Sequence, residues 1–430
     1  MIPSFRRAAE VSMARVEKKT CRGCSGELET VLDLGSLKLN AFPATRAEGA
    51  EVPTVPLVLM RCLECGLIQL DRTVPADLMY REYWYLSGVN ESMVAELKSV
   101  VQDACSRVDL TKGDRILDIG ANDGTLLSHY RECADVEDLH RVAVEPARNL
   151  AQSLLQHCDE LHTDYYPTSA LGTQAQFQII TAIACAYDTE DPIAFFQSIR
   201  GHLAPEGVAI IQFQDFGQQL EAAAFDNICH EHLEYFTLWS LVALVNRCGL
   251  RVQACTQRKI NGGSLRVVLK HLGSAGEPEL SVGSQLVWEM QRGLDTPTLR
   301  AAHPVVFQRF RDQVRRAQEH IQTFLQMTRG LTLDVYGAST KGNILLQVLG
   351  VGSGEVRQAI DRSPAKWGRY TITGIPIVSE QVGREQPADV WLCPIWQFKE
   401  SVLKRERWYL REGGTIAFPL PVLEVVKETY

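Results

Sequence analysis

The sequence predicts an α/β protein with two doubly wound α/β units and a small metal-stapled β module on their N-terminal side. Apolar, strand-like runs alternate with helix-length stretches between residues 115 and 213, and the same alternation returns after Leu331. Two Cys-x-x-C pairs stand before both units. A chain of 430 residues is long enough for two or three such units rather than one.

The N-terminal domain is expected over residues 1–75, with strand-like runs at residues 28–34 and 57–70. Its two Cys-x-x-C knuckles each present two thiolates from one tight turn to a tetrahedral ion, and four sulfur ligands leave no open coordination position. We therefore expect a structural zinc site. Two pairs of ordinary buried cysteines are the alternative, and a redox pair is disfavoured because neither knuckle lies at the strand-to-helix turn of a βαβ unit. The four cysteines are Cys21, Cys24, Cys62 and Cys65.

The central unit is expected over residues 76–275 and begins with a helical, tyrosine-rich stretch. Its first strand, residues 115–119, ends in the glycine-rich turn Asp118-Ile-Gly-Ala-Asn-Asp-Gly124, where glycine lets the backbone approach a ligand. The third glycine of the dinucleotide fingerprint is missing, so the turn does not fit NAD. It resembles instead motif I of class I S-adenosylmethionine-dependent methyltransferases. An acid at the end of the next strand suits a ribose diol, and an acid after the third suits adenine. The candidate cofactor-binding residues are Asp118, Gly120, Asn122, Gly124, Glu145 and Asp164.

A polar insert, residues 226–236, packs two histidines and two acids beside aromatic side chains. Its order His230-Glu231-His232 is not H-E-x-x-H, and histidines two positions apart do not share one helical face, so a zincin site is excluded. A histidine beside a carboxylate near a methyl donor suits general-base work. A purely structural histidine is the alternative at this point.

A helical connector is expected over residues 276–330, and a second α/β unit over residues 331–430. Residues 336–342 again read as a strand, a tight turn and a helix start, and Ser339, Thr340 and Lys341 suit a diphosphate. The Walker A spacing is absent, so ATP hydrolysis is not expected. Asp361 and Lys366, which follow the next strand, either contact a nucleotide or are ordinary polar surface groups.

The composition excludes several other classes of protein. Lys and Arg number 44 against 52 Asp and Glu, a formal charge of −8, and no basic run is long enough to follow a nucleic acid. No stretch approaches the roughly 18 uncharged residues of a membrane span, and the first 19 residues lack the apolar core of a signal peptide. The other eight cysteines are scattered singly. We expect a cytoplasmic protein without nucleic-acid or membrane partners.

Taken in order, these motifs resemble the sugar C-methyltransferases of branched deoxysugar pathways, from about Cys21 to the C-terminus. The motifs are the two knuckles, Tyr83-Trp-Tyr-Leu-Ser-Gly88, the Asp118 to Gly124 turn, His230-Glu231-His232, Gly262-Gly-Ser264 and Tyr336-Gly-Ala-Ser-Thr-Lys-Gly342. The resemblance implies a class I methyltransferase Rossmann-like domain that binds S-adenosylmethionine and a Rossmann-like C-terminal domain that helps hold a nucleotide-diphosphate sugar. The implied reaction is methylation at carbon 3 of a nucleotide-linked 4-keto-6-deoxysugar, through an enolate formed by a base.

The resemblance also implies roles for single residues. The family's base closes a Tyr-x-Glu-His run, which falls on His232 with Glu231 beside it, while Cys229 stands at the tyrosine position. Tyr187 stands where antibiotic-pathway relatives tend to have histidine, and it could supply the missing hydroxyl, as could Tyr83 or Tyr85. The implied catalytic residues are His232, Glu231, His230, Cys229 and Tyr187. The implied substrate-binding residues are Tyr83, Tyr85, Asn261, Ser339, Lys341, Asp361 and Lys366.

Three questions stay open at this level. An O- or N-methyltransferase acting on another small molecule is the alternative enzyme, since its base would act on a hydroxyl or an amine. A zinc-bearing interaction protein that has lost catalysis is the alternative outside enzymes, and Cys229 is the feature that favours it. The chain is expected to be a monomer or a small homo-oligomer.

Overall fold

The computed structural model describes residues 16–301 and 304–428. The first 15 residues, on which the expected absence of a signal peptide and the start of the N-terminal domain depend, lie outside the described residues. Among the helices of the described ranges, none has the length and apolar character that crossing a bilayer requires.

A four-stranded antiparallel sheet forms the N-terminal module. Its strands, in spatial order, are Glu234–Tyr235, Ile68–Leu70, Thr54–Cys62 and Leu28–Lys38. The single strand-like run expected at residues 57–70 is two strands, because the second knuckle turns the chain between them. The edge strand Glu234–Tyr235 belongs to the polar insert, so the insert is part of this sheet. A two-stranded pair, Val16–Glu17 with Arg72–Thr73, and the helix Arg46–Glu51 complete the module.

A seven-stranded sheet forms the centre of the protein and confirms the predicted doubly wound α/β fold. Its strands, in spatial order, are Leu250–Arg258, Ser264–His271, Leu203–Gln214, Phe177–Ile183, Arg115–Ile119, His140–Val144 and Glu160–His162. Ser264–His271 runs antiparallel to its two neighbours, and the other adjacent pairs are parallel. Arg115–Ile119 lies where the strand order reverses, which is where open α/β sheets bind ligands.

The helices of this central part cover the sheet or lead into it. In chain order they are Asp77–Tyr80, Glu91–Cys105, Thr125–Ser128, Tyr130–Cys133, Ala151–Leu154, Pro192–His202, Phe216–Glu221 and Leu238–Arg247. Glu91–Cys105 shows why such elements form. Asn90 caps its N-terminus by accepting from the Ser92 N–H, and its apolar residues recur at helical spacing and are buried.

The connector is three helices rather than one: Leu280–Met290, Thr296–Arg300 and Val305–Met327. The C-terminal sheet that follows has, in spatial order, the strands Ile377–Ser379, Ala359–Asp361, Leu333–Tyr336, Val390–Leu392, Thr415–Phe418 and Glu424–Val426. Only its last strand is antiparallel to its neighbour. The helices of this unit are Thr340–Leu349, Glu380–Glu385, Lys399–Arg405 and Arg407–Arg411.

The two α/β units build their first turns in the same way. The Gly120 N–H donates to the carbonyl of Val144, and the Gly337 N–H donates to that of Ile360, each at 2.8 Å. In both units, an acid at the end of the unit's second strand then accepts a hydrogen bond from a backbone N–H of the turn that follows the first strand. This likeness between the units is not visible in the sequence, because it lies in backbone hydrogen bonds.

Candidate functional site

The four knuckle cysteines come together in one closed cluster, with their sulfurs all within 4.8 Å of one another. The Cys21 and Cys65 sulfurs are 3.6 Å apart, and those of Cys24 and Cys62 are 3.3 Å apart. Zinc–sulfur bonds of about 2.3 Å give a tetrahedron with edges of roughly 3.8 Å, so the cluster fits zinc. Backbone N–H groups of the knuckles donate to the sulfurs, which favours thiolates. With four sulfur donors the zinc site is structural.

A cavity of about 440 Å³ lies where the three units meet. The N-terminal module contributes Asn40, the central unit contributes the glycine turn and the polar insert, and the C-terminal unit contributes Lys341. The predicted site residues that line it are Tyr83, Tyr85, Asp118, Gly120, Asn122, Glu145, Tyr187, Cys229, Glu231, His232, Asn261 and Lys341. The predicted site residues outside its lining are Gly124, Asp164, His230, Ser339, Asp361 and Lys366.

The cofactor end of the cavity is built on two buried acids. Asp118 accepts from the Thr181 hydroxyl at 2.7 Å, and burial raises the pKa of its carboxyl to about 7. Glu145 accepts from the N–H groups of Asn122 and Ala147, both at 2.8 Å, and burial raises its pKa as well. Glu145 therefore holds the glycine turn in place through the Asn122 N–H. The lining at this end of the cavity fits S-adenosylmethionine.

The aromatic segment, residues 83–88, covers this turn. The Asn122 amide donates to the carbonyl of Tyr85 at 3.1 Å, the Ser87 N–H donates to Asn122 at 3.0 Å, and the Gly88 N–H donates to Asp123 at 2.8 Å. These hydrogen bonds fasten the segment to the glycine turn, and Tyr83 and Tyr85 line the cavity beside it.

Gly124 and Asp164 lie outside the cavity lining. Gly124 has φ +85°, and a Cβ there would lie 2.8 Å from the His157 ring, so only glycine fits the turn. Asp164 is exposed and accepts from the Tyr165 N–H and the Thr168 hydroxyl, which places its carboxylate in a local turn. The expectation that Asp164 meets the adenine is not matched by this geometry, since Tyr165, and not Asp164, lines the cavity.

One ring nitrogen of His232 is held in a hydrogen bond to the backbone, and the other is available to accept a proton. Its Nδ1 lies 3.0 Å from the carbonyl oxygen of Asn227, so Nδ1 carries the proton and donates. The Tyr187 ring packs edge-on against the imidazole, with centroids 4.7 Å apart. Burial, assisted by the charge of Lys341, lowers the pKa of His232 to about 3. The ring is neutral at physiological pH, with Nε2 as a proton acceptor.

The acid beside His232 does not orient it. Glu231 accepts instead from the side-chain amide of Asn40 at 2.9 and 3.2 Å, and its backbone carbonyl accepts from the Tyr80 hydroxyl at 2.5 Å. The hydrogen bond expected between Glu231 and His232 is thus replaced by one from His232 to a backbone carbonyl, because the side chains of these adjacent residues point apart. His230 likewise turns away, and its Nε2 pairs with the Val55 carbonyl at 3.1 Å.

Cys229 and Tyr187 lie on the same wall of the cavity as His232. The Cys229 N–H donates to the Tyr235 hydroxyl at 3.2 Å, which fixes the backbone at this position. Beside them Asp188 leaves Oδ1 buried without a hydrogen-bond partner. Burial, together with the charges of Glu231 and Glu234, raises the pKa of Asp188 well above its ordinary value. This wall therefore offers the phenol of Tyr187 and the buried carboxyl of Asp188 as polar groups.

Lys341 supplies the positive charge of the cavity. Its Nζ donates to the Asn261 carbonyl at 3.2 Å, and burial lowers its pKa. Asp226 is its acidic neighbour and accepts from the Trp396 indole N–H at 2.9 Å. Burial raises the pKa of Asp226 to about 6, although Lys341 opposes that shift. The C-terminal unit thus reaches the polar insert through both Lys341 and Trp396.

Three residues expected to touch the substrate instead build the turn that carries Lys341. Ser339 caps the helix Thr340–Leu349 by accepting from the Gly342 N–H at 2.8 Å. Asp361 accepts from the Ala338 N–H at 2.9 Å, and Lys366 donates to the Ala338 carbonyl at 2.7 Å. Their polar atoms bond to the protein's own backbone, and of this turn's predicted substrate-binding residues only Lys341 lines the cavity.

Several residues of the site carried no assigned role in the sequence. Asn40, Asp188 and Gln214 line the cavity, and Tyr80 extends the tyrosine wall. Asp188 follows Tyr187 directly and Tyr80 belongs to the same aromatic stretch as Tyr83, so proximity in sequence was a usable signal for these two. Asn40 had none, because only the tertiary fold brings it to Glu231.

Comparisons with known proteins agree with this architecture. Three family models match successive parts of the chain: a zinc binding domain over residues 21–80, a methyltransferase domain over residues 90–254, and a C-methyltransferase C-terminal domain over residues 259–421. Among curated proteins, C-methyltransferase NovU of Streptomyces niveus is 26% identical over 377 residues, which cover 86% of this chain and 87% of NovU.

Solved structures overlap the central part of the chain. An S-adenosylmethionine-dependent methyltransferase from Clostridium acetobutylicum ATCC 824 is 14% identical with a TM-score of 0.33, covering 42% of this chain and 91% of its own. Magnesium protoporphyrin IX methyltransferase from Synechocystis PCC 6803, solved with bound S-adenosylmethionine, is 10% identical with a TM-score of 0.31, covering 41% and 78%. The three successive family matches, the NovU similarity over most of both chains, the cysteine cluster and the doubly wound sheet lead to one conclusion: the chain is an S-adenosylmethionine-dependent methyltransferase with a structural zinc site, and it is similar to C-methyltransferases.

Proposed function

We propose that the enzyme methylates the carbon next to the ketone, carbon 3, of a nucleotide-linked 4-keto-6-deoxysugar. The ketone acidifies the neighbouring C–H bond, so a neutral base can remove that proton and leave an enolate. When bound, S-adenosylmethionine supplies an electrophilic methyl group, which the enolate carbon takes as the carbon–sulfur bond breaks. What remains for the protein is to place the base, meet the enolate charge and hold the nucleotide.

The observation that carries the proposal is the state of His232. Its Nδ1 proton is committed to the Asn227 carbonyl, and its ring lines the same cavity as the cofactor turn. A neutral imidazole with a free Nε2 can accept a carbon-bound proton and becomes a cation beside the new anion. Glu145 and the glycine turn stand at the other end of the cavity, where they suit the methyl donor.

Two further features support the enolate and the nucleotide. The Tyr187 hydroxyl shares the wall with His232 and can donate to an oxygen that becomes negative. Tyr187 accordingly takes over the hydroxyl that Cys229 cannot provide. Lys341, on the turn of the C-terminal unit, supplies a buried ammonium for a diphosphate oxygen. We place carbon 3 between His232 and the cofactor, and the diphosphate toward Lys341.

Product analysis tests the proposal. The purified enzyme is incubated with S-adenosylmethionine and nucleotide-linked 4-keto-6-deoxysugars, and the product is examined by mass spectrometry and NMR. A carbon-bound methyl group at carbon 3 of the product, and solvent deuterium at carbon 3 of the sugar recovered without methylation, are the expected results, and both should be lost in His232→Gln. A methoxy or N-methyl product would show that the enzyme is an O- or N-methyltransferase and would overturn the proposal.

A further inference from the structure

The zinc knuckle carries an arginine whose contacts lead away from the metal. Arg22 lies between two zinc ligands, Cys21 and Cys24, and its side chain is fully buried. Its backbone N–H donates to the Gln69 side chain at 2.8 Å. Its guanidinium donates to the Leu70 carbonyl at 2.6 Å, and to the carbonyl of Arg72 and the hydroxyl of Thr73 at 3.2 and 3.0 Å. Arg22 therefore ties the metal-bound turn to the strand Ile68–Leu70 and the residues after it.

That strand holds the end of the polar insert. Ile68–Leu70 pairs antiparallel with Glu234–Tyr235, and the Leu70 N–H donates to the carbonyl of Leu233 at 2.9 Å. On the opposite side, the N–H groups of Leu233 and Glu234 donate to the Tyr187 carbonyl at 2.8 and 3.0 Å. The chain directly after His232 is thus held between the N-terminal module and the segment that carries Tyr187.

Arg22 also faces the insert directly. Its Nε lies 3.7 Å from the Glu234 carboxylate, and both side chains are fully buried. Neither the Arg22 Nε nor either Glu234 oxygen has another hydrogen-bond partner in the described residues. The Arg22 Nε and the Glu234 carboxyl, neither of which has another partner among the described residues, stabilise each other and resist separation, because a lone buried charge is costly. Any shift of the zinc knuckle is therefore transmitted to Glu234, two residues from His232.

We propose that Arg22 is a positioning residue for the general base: the zinc-bound knuckle sets the place of His232 through Arg22, Leu70 and Glu234. This inference rests on the proposed role of His232. The zinc ion would fix both Cys-x-x-C turns. Arg22, on the first of these turns, holds the strand Ile68–Leu70 through its hydrogen bonds, and that strand holds the insert. Small displacements of a catalytic group have large effects on rate, with about 1 Å costing up to a hundredfold.

The test compares two buried arginines of the same module. Arg22→Met keeps the volume of the side chain and removes its donors. Arg61→Met is the matched control, because Arg61 is equally buried but donates to the carbonyls of Leu299 and Ala301 in the connector, away from the insert. Zinc content and S-adenosylmethionine affinity are measured first, and both are expected to stay at the wild-type value in the two variants.

The first readout is independent of turnover. The Cε1–H signal of His232, assigned by its loss in His232→Gln, is followed by NMR in the whole protein. It is expected to shift or broaden in Arg22→Met and to stay in place in Arg61→Met. An unmoved signal in zinc-loaded Arg22→Met would overturn the positioning role, even if the substrate proposed above proved wrong.

The second readout is the rate. kcat and the exchange of the carbon 3 proton with solvent should fall together by about ten- to a hundredfold in Arg22→Met with little change in KM, and Arg22→Lys should recover part of the loss. A fall in kcat with normal exchange would overturn the proposal. If Arg22→Met does not fold with zinc, Glu234→Gln decides: a displaced His232 signal supports the link, and an unmoved signal overturns it.

Discussion

The Nδ1 atom of His232 lies 3.0 Å from the backbone carbonyl oxygen of Asn227, five residues earlier in the same insert. A carbonyl can only accept, so it fixes the imidazole in the tautomer that leaves Nε2 unprotonated. The orienting group is therefore part of the backbone, and mutation of neighbouring acids leaves it intact. Each of the following predictions tests a consequence of this arrangement or of its surroundings.

Replacing His232 should stop proton removal without weakening cofactor binding. His232→Gln is expected to lower kcat at least about a hundredfold, since general-base catalysis contributes at least this much, while the dissociation constant for S-adenosylmethionine barely changes. Calorimetry and steady-state kinetics check both. His230→Gln is the neighbouring control. It removes the hydrogen bond to Val55 and should cost about 1–3 kcal/mol of unfolding free energy while the folded enzyme keeps its kcat. A normal kcat in His232→Gln would remove His232 from the role of base.

The pH profile should lack the usual histidine limb. A base with an ordinary histidine pKa near 6.5 loses most of its activity by pH 5.5, because its protonated form cannot accept. With the pKa of His232 lowered to about 3, kcat/KM should show no fall assigned to this ring between pH 7.5 and 5.5. The measurement is kcat/KM against pH at constant ionic strength. A fall in kcat/KM near pH 6.5 that persists in variants of all other histidines would contradict the lowered pKa of His232.

The same shift makes a prediction for stability. In the unfolded chain His232 takes a proton below about pH 6.5, whereas the folded protein keeps it neutral down to about pH 3. Its contribution to the unfolding free energy is thus complete above pH 6.5 and declines as the pH falls toward 3. The difference in unfolding free energy between wild type and His232→Gln, measured by denaturant titration at several pH values, should shrink toward acid pH. A difference that grows toward acid pH would show the opposite shift.

Each chain should bind one zinc ion, and that ion should hold the N-terminal module together. Cys24→Ala is expected to lose the metal and to lower the unfolding free energy by about 4 kcal/mol or more, as loss of a structural metal does. Cys133→Ala, a half-buried cysteine outside the cluster, should keep full zinc content and lose less than about 1.5 kcal/mol. Metal analysis and denaturant titration provide the check, and full zinc content in Cys24→Ala would exclude Cys24 as a ligand.

Two lysines of the C-terminal unit should behave differently. Lys341→Met is expected to raise the KM for the nucleotide-sugar by about tenfold or more, because a charge-assisted hydrogen bond is worth about 1.5–3 kcal/mol. Lys366→Met removes a bond to the Ala338 carbonyl and should mainly lower stability. Initial rates against sugar concentration distinguish the two. Equal KM values for Lys341→Met and wild type would exclude a phosphate contact by Lys341.

The fold was predictable where the sequence repeats a simple physical pattern. The cysteine spacing predicted the closed metal cluster, and apolar runs ending in glycine turns predicted two sheets with Asp118 and Lys341 at their ligand-binding edges. The orientation of His232 was not predictable, since its ring is held by the backbone carbonyl of Asn227 and every residue type has a backbone carbonyl. Ser339, Asp361 and Lys366 were expected to face a ligand, but the backbone of their own turn satisfies them. The pairing of Glu234–Tyr235 with Ile68–Leu70 joins distant parts of the chain, and its two-residue strand is too short to leave a pattern.

That pairing also orders events during synthesis. The ribosome releases the knuckles well before residues 234–235, so a nascent chain can bind zinc while His232 has no fixed place. The segment after His232 is fixed only when it returns to pair with Ile68–Leu70. Two strands of the central sheet and the unit that carries Lys341 are made later still, so the cavity closes around its ligands only after nearly the whole chain has been released.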